Sequence, residues 1–202
     1  MNNKVILFLN GEEPTDVPNL SEYQKIYCTD GSYNYLKTLG IVPDVIAGDF
    51  DSISTTSFPK NVEVIHTPDQ NFTDFEKVLQ IIVDQNFTSV DVFGASGKQQ
   101  DHFLGNLNAA YKFKDRLLIQ FIDNYSTYNF IPKHFTLENV AEKIISLVPF
   151  PETKGITTTG LLYPLNNEDL NLLERIGTRN KAITNKVKIT YSSGELVLFV
   201  MK

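Results

Sequence analysis

An alternation constrains this chain more than any other feature. From residue 1 to about 123, short apolar runs of strand type take turns with stretches of helical period. "KVILFLN", "KIYCTD", "DVIAGD", "VEVIHT", "SVDVFG" and "LLIQFID" read as strands. "YNYLKTLG", "TDFEKVLQIIVDQ" and "DHFLGNLNAAYKF" read as helices, the first stopping at Gly40 and the last starting near Asp101. Such alternation predicts an α/β fold, a mostly parallel sheet flanked by helices. In sheets of that kind, ligands sit beyond the carboxyl ends of the strands.

After Asp123 the pattern changes. "TYNFIP", "EKIISLVPF", "KGITTTGLLYPL", "NKVKITYSS" and "ELVLFVMK" read as short strands separated by turn residues, with "SSGE" turning the chain into the last one. Val187, Ile189 and Tyr191 alternate with polar neighbours, as a half-buried antiparallel strand requires. A smaller C-terminal all-β sandwich domain is expected, with the boundary between 1–124 and 125–202.

Composition narrows the function. Lys and Arg number 18 against 24 Asp and Glu, a formal net charge of −6 without a basic cluster. That balance argues against nucleic acid or an anionic membrane surface as partner. The longest early apolar run, Val5 to Leu9, is too short for a signal-peptide core or a bilayer span. The single cysteine, Cys28, excludes an internal disulfide and reads as a small buried hydrophobe. A soluble cytoplasmic protein is the expectation.

Four strand ends carry polar or small residues. Asp30-Gly31-Ser32 follows the second strand, and Asp49, Asp51 and Ser52 follow the third. Asp69 and Gln70 follow the fourth, and Gly94 to Asp101 follows the fifth. In a parallel sheet these ends share one edge, so scattered residues become one site. Asp49 and Asp51 would point to opposite faces of a regular strand and converge only if the chain turns at Gly48. Taken alone, an Asp-x-Asp pair also serves in turns. Several acids converging repel one another, and a hard divalent cation such as Mg²⁺ offsets that cost while keeping sites for substrate phosphates.

Thr73 and Glu76 form a capping-box pattern, with Phe75, Val78, Leu79 and Ile82 on the core face of the helix that follows. Asp74 and Lys77 share a different face near its start. In "FGASGKQQDHFLGN", the backbone of the Gly94–Gly97 loop can cradle phosphate oxygens, and Lys98 can add a charge. The spacing is not that of a P-loop. Asp101 either caps the helix or acts in the site, and His102 either makes a structural hydrogen bond or acts as a base.

With these blocks in order, the sequence resembles the thiamin pyrophosphokinase (thiamin diphosphokinase) family over nearly its whole length. "TDGSYNYLKTLGIVPDVIAGDFDSI" looks like the family's D-G-A-x-N … P-D-x-I-x-G-D-x-D-S block. "TPDQNFTDFEKVL" looks like its D-Q-x-x-T-D-F-x-K-x-L block, and "GASGKQQDHFLGNL" its G-x-x-G-x-R-x-D-H-x-x-x-N block. "GITTTGLLYPL" matches its T-T-x-G-L-x-Y-x-L segment. The resemblance implies a homodimeric enzyme with an α/β domain and a β-sandwich domain. It would move the pyrophosphoryl group of ATP to the hydroxyl of thiamin, giving thiamin diphosphate and AMP, with Mg²⁺ required. The implied metal ligands are Asp49, Asp51 and Asp74, with Lys77 and Asp101 as further catalytic residues. Asp30, Gly31, Ser52, Gln70, Thr73, Lys98, Gln99 and His102 fall on the implied nucleotide side. Thr178, Arg179 and Asn180 fall on the implied thiamin side, a site shared across the dimer. Either Asp74 or Asp101 would accept the hydroxyl proton.

Two positions depart from the family pattern. Gln99 stands where arginine is common, and Arg179 where serine is common. Glutamine cannot supply the charge of a guanidinium fork, which Lys98 partly replaces. Two other readings stand beside the enzyme: a non-catalytic thiamin- or nucleotide-binding member, and an aspartate-based phosphatase using Asp49 as nucleophile.

Overall fold

A computed structural model describes residues 3–51 and 58–202. Contacts divide the chain into two compact units, Met1–Asn124 and Tyr125–Lys202.

The first unit is built on six parallel strands: β1 (Lys4–Phe8), β2 (Ile26–Thr29), β3 (Val45–Gly48), β4 (Glu63–His66), β5 (Ser89–Phe93) and β6 (Leu118–Ile122). They lie in the order β4-β3-β2-β1-β5-β6. The chain moves outward from β1 to β4, then returns to the far side of β1. The order therefore reverses between β1 and β5, where an open α/β sheet leaves a crevice. Three helices make the connections: α1 (Asp30–Thr38), α2 (Asp74–Asp84) and α3 (Gln100–Phe113).

Period-two alternation assigns each strand residue to a face. Ile6 and Phe8 of β1 pack with Cys28, Ile46 and Phe93, and with Tyr33, Tyr35 and Leu36 of α1. Burial pushes the Cys28 thiol well above the ordinary range, so it stays protonated filler. Helix α2 packs on β2, β3 and α3. Its buried stripe, Phe75, Val78, Leu79 and Ile82, contributes about 1.5–3 kcal/mol per fully buried side chain. Thr73 caps it, Oγ1 accepting from Glu76 N at 3.2 Å. Helix α1 ends in a Schellman arrangement, with Gly40 at φ 70° and Ile41 N donating to Leu36 O. Helix α3 begins at Gln100 with Gln99 as its N-cap, and the Gln99 side chain makes no capping bond. Asp101 thus lies inside the first turn and is not the cap.

In the second unit, β7 (Ser126–Ile131), β8 (His134–Glu138), β10 (Glu168–Asn171), β11 (Gly177–Lys181), β12 (Lys186–Thr190) and β13 (Ser193–Met201) gather about one long strand, β9 (Ile144–Thr159). Along one edge β9 pairs first with β13 and then with β12; along the other, first with β11 and then with β10. Strand β7 extends the β13 side and β8 the β12 side. Ile131, Ile145, Leu147, Ile156, Val187, Ile189 and Leu198, drawn from both sides, share one core.

The sequence reading split β9 at its prolines, and the structure corrects this. Pro149 and Pro151 sit where the β11 ladder has ended at Leu147 and the β10 ladder begins at Glu152. A proline's missing N–H costs nothing where no partner faces it. The last strand also starts earlier than expected, taking in Ser193 and Gly194.

Candidate functional site

The carboxyl edge of the parallel sheet opens into a cleft of about 450 Å³. Asp30, Gly31, Asp49, Gln70, Thr73, Asp74, Lys77, Lys98, Gln99, Asp101 and His102 all line it. The loops after β2, β3, β4 and β5 thus meet, as parallel strands dictate. The sequence reading passed over the loop after β1, whose Asn10 and Gly11 also line the cleft, with Phe72 and Asn106. The signal was the glycine ending "ILFLNG". Ser52 lies outside the described residues.

Asp30, Asp49 and Asp51 each offer a carboxylate oxygen, and these oxygens lie within 4.8 Å of one another. The reversal that gathers them falls at Phe50, φ 66°, and not at Gly48. A bulky residue in the left-handed region is strained, so something must hold it. Phe50 N donates to Asp30 Oδ2 at 2.8 Å, and its ring meets Phe58 and His66. Gly48 has another purpose: a Cβ there would lie 2.5 Å from Asp30 Cγ. The missing side chain makes room for the buried carboxylate.

The two better-placed acids are perturbed in opposite senses. Burial raises the Asp30 carboxyl above its ordinary 3.8; bonds from Gly31 N and Phe50 N oppose this, and the charges of Asp74 and Asp49 add to it. Asp49 is lowered, chiefly because Gln70 Nε2 donates to Oδ2 at 2.9 Å, with Asp51 N donating to Oδ1. Three close oxygens of hard character, one on a desolvated group, suit a divalent cation of the magnesium kind.

Asp74 is not one of the three, although its charge acts on Asp30. Its Oδ1 pairs with Lys77 Nζ at 2.7 Å. The same ammonium donates to Thr67 O at 2.7 Å and Asp69 O at 3.3 Å. Two hydrogen bonds and an ion pair thus hold Lys77 to the loop before α2. On the opposite wall the loops after β1 and β5 extend the sheet ladder. Leu9 N donates to Phe93 O, Gly11 N to Gly94 O and Glu12 N to Ser96 O. Asn106 Nδ2 holds Ala95 O. His102 N donates to Asp101 Oδ1 at 3.0 Å, so that carboxylate turns back on its own helix.

Thr178, Arg179 and Asn180 lie on β11 in the second unit. Arg179 has φ 56° at a register shift, its N donating to Ser146 Oγ. Asn180 is a clamp: Oδ1 accepts from Tyr163 N and Nδ2 donates to Tyr163 O.

A parallel sheet with a glycine loop at its reversal point and acids and amides on the neighbouring strand ends, followed by a β unit, defines an open α/β protein with its ligand site at the carboxyl edge of the sheet. The model of the thiamin pyrophosphokinase catalytic domain matches residues 19–121, and that of the thiamin pyrophosphokinase vitamin B1 binding domain matches 133–196. Thiamin pyrophosphokinase 1 of Caenorhabditis elegans is 30% identical across 94% of this chain and 86% of its own. Thiamine pyrophosphokinase of Bacillus subtilis is 28% identical across 96% and 97%. The Bacillus subtilis crystal structure superposes with a TM-score of 0.83 at 25% identity, over 98% of this chain and 99% of that one. The yeast enzyme gives the same fold, TM-score 0.83 at 19% identity, over 99% and 86%. The chain belongs to the thiamin pyrophosphokinase family.

Proposed function

We propose that this chain transfers the pyrophosphoryl group of ATP to the hydroxyl of thiamin, releasing AMP and thiamin diphosphate. The observation that carries the proposal is the carboxylate trio at the carboxyl ends of β2 and β3, in a chain of this family. Asp49 and Asp51, with Asp30 beneath them, would hold Mg²⁺, and Asp74 completes the acidic wall. When bound, the ion supplies counter-charge to the polyphosphate and Lewis acidity at the attacked phosphorus.

The chain's own groups do the rest. Transfer of this kind asks for positioning and charge stabilisation more than covalent chemistry. Gln70 fixes Asp49, and Lys77 fixes the loop that presents Asp74. The Gly94–Gly97 backbone, with Lys98, Gln99 and His102, faces the phosphates. A carboxylate at the cleft, Asp74 or Asp101, takes the hydroxyl proton. Asn replacement of each would show which one abolishes turnover while leaving nucleotide binding. Thr178, Arg179 and Asn180 are assigned to thiamin, in a homodimer whose second copy completes the site. No helix among the described residues is long and apolar enough to cross a membrane. With one cysteine and no disulfide, a cytoplasmic setting is proposed.

The test is direct. Incubation with ATP, Mg²⁺ and thiamin should yield AMP and thiamin diphosphate in equal amounts, abolished by EDTA. Intact substrates with measurable binding would make the chain a non-catalytic member. Free phosphate without thiamin diphosphate would favour a phosphatase.

A further inference from the structure

The cleft needs a cation for a polyphosphate, and its lining holds two lysines, Lys77 and Lys98, with no arginine among the described residues. Lys77 is committed elsewhere: it donates to Thr67 O and Asp69 O and is ion-paired with Asp74 at 2.7 Å. Lys98 is exposed on the glycine loop and forms no ion pair with the described residues. Its one hydrogen-bond partner among the described residues is Asn10 Oδ1, at 3.3 Å. Asn10 is itself seated: a Cβ on Gly31 would lie 2.6 Å from its Nδ2, so the side chain rests against the start of α1 beside Asp30. The neighbouring backbone is fixed by the bond from Gly11 N to Gly94 O at 2.7 Å.

Resting on the proposed function, we infer that Lys98 is the cation that contacts the ATP phosphates beyond the α-phosphate, and that Asn10 is its positioning residue. Contacts run from Lys98 through Asn10 and Gly31 to Asp30. This sets the ammonium in the same cleft as Asp30 and Asp49, where it would meet the polyphosphate. Two of its protons are left for phosphate oxygens. The uncharged Gln99 next to it leaves this task to Lys98.

The probes are α,β-methylene-ATP and AMP, titrated calorimetrically with magnesium against the full chain. Lys98→Ala should weaken the triphosphate analogue about tenfold or more and AMP about twofold or less. Lys98→Arg should restore most of the loss. Asn10→Ala should weaken the analogue by a smaller factor, and should add nothing in the Lys98→Ala background. A purely structural Asn10 would not show that dependence. Unchanged analogue affinity in Lys98→Ala, or equal losses for the analogue and AMP, would overturn the assignment. Wild-type protein that binds the analogue but makes no thiamin diphosphate would overturn the functional reading and leave Lys98 assigned. Wild-type protein that does not bind the analogue would overturn both.

Discussion

At the residue scale, the acid trio depends on two backbone choices. Phe50 turns the chain, and Gly48 leaves room for Asp30 beneath the turn. Gly48→Ala would drive a Cβ to 2.5 Å from Asp30 Cγ. A loss of about 1–3 kcal/mol is expected, read from urea denaturation. Titration adds a second prediction. The folded pKa of Asp30 lies above the unfolded value, so its contribution to stability is present below about pH 3.8 and is lost as pH rises through the folded value. Asp49 runs oppositely: its contribution is present above the unfolded value and is lost as pH falls through the depressed folded one. A cation binding the ionised trio removes the Asp30 penalty. Mg²⁺ should therefore raise the melting temperature more at pH 7 than at pH 4. An equal rise at both would mean that the ion binds elsewhere.

At the scale of elements, what the sequence showed and what it hid have separate physical causes. Apolar runs such as Val90–Phe93 and the Phe75–Ile82 stripe announce themselves, because burial demands a periodic pattern. The end of β5 was visible for the same reason, whereas β4 is mostly exposed and was marked by the β-branched residues Val62, Val64 and Ile65 of "VEVIHT". Strands β8, β10 and β11 were not, since "HFTLE", "EDLN" and "GTRNK" are half exposed and carry little apolar signal. The turn at Phe50 was assigned to Gly48 because glycine is the usual reverser, whereas packing and an Asp30 bond hold a phenylalanine there. The loop after β1 went unread because its task, zipping to the loop after β5, is done by backbone groups. Gly11→Ala puts a Cβ 2.2 Å from Gly94 O and 2.4 Å from Ser96 O. It should spread those loops and raise the KM for ATP while changing that for thiamin little. Gln99 caps α3 without a side-chain bond. Gln99→Ser should accordingly stabilise the protein by about 1 kcal/mol in denaturant.

At the scale of the whole molecule, the first unit gathers five strand ends at one edge because all its strands run the same way. The second unit hangs two groups of strands on β9. The sequence carried the alternation and the ordered motif blocks, so class and family were legible. It did not carry which acids come together: Asp30 joins Asp49 and Asp51, while Asp74 pairs with Lys77. Contacts of that kind depend on loop conformation. The central claim, that the trio serves pyrophosphoryl transfer, is tested most directly by the turnover of Asp51→Asn beside wild type, at saturating ATP, Mg²⁺ and thiamin. Asp51 is exposed, so the variant should melt as wild type does. Thiamin diphosphate formation should fall about 100-fold or more. Near-wild-type turnover would contradict the account.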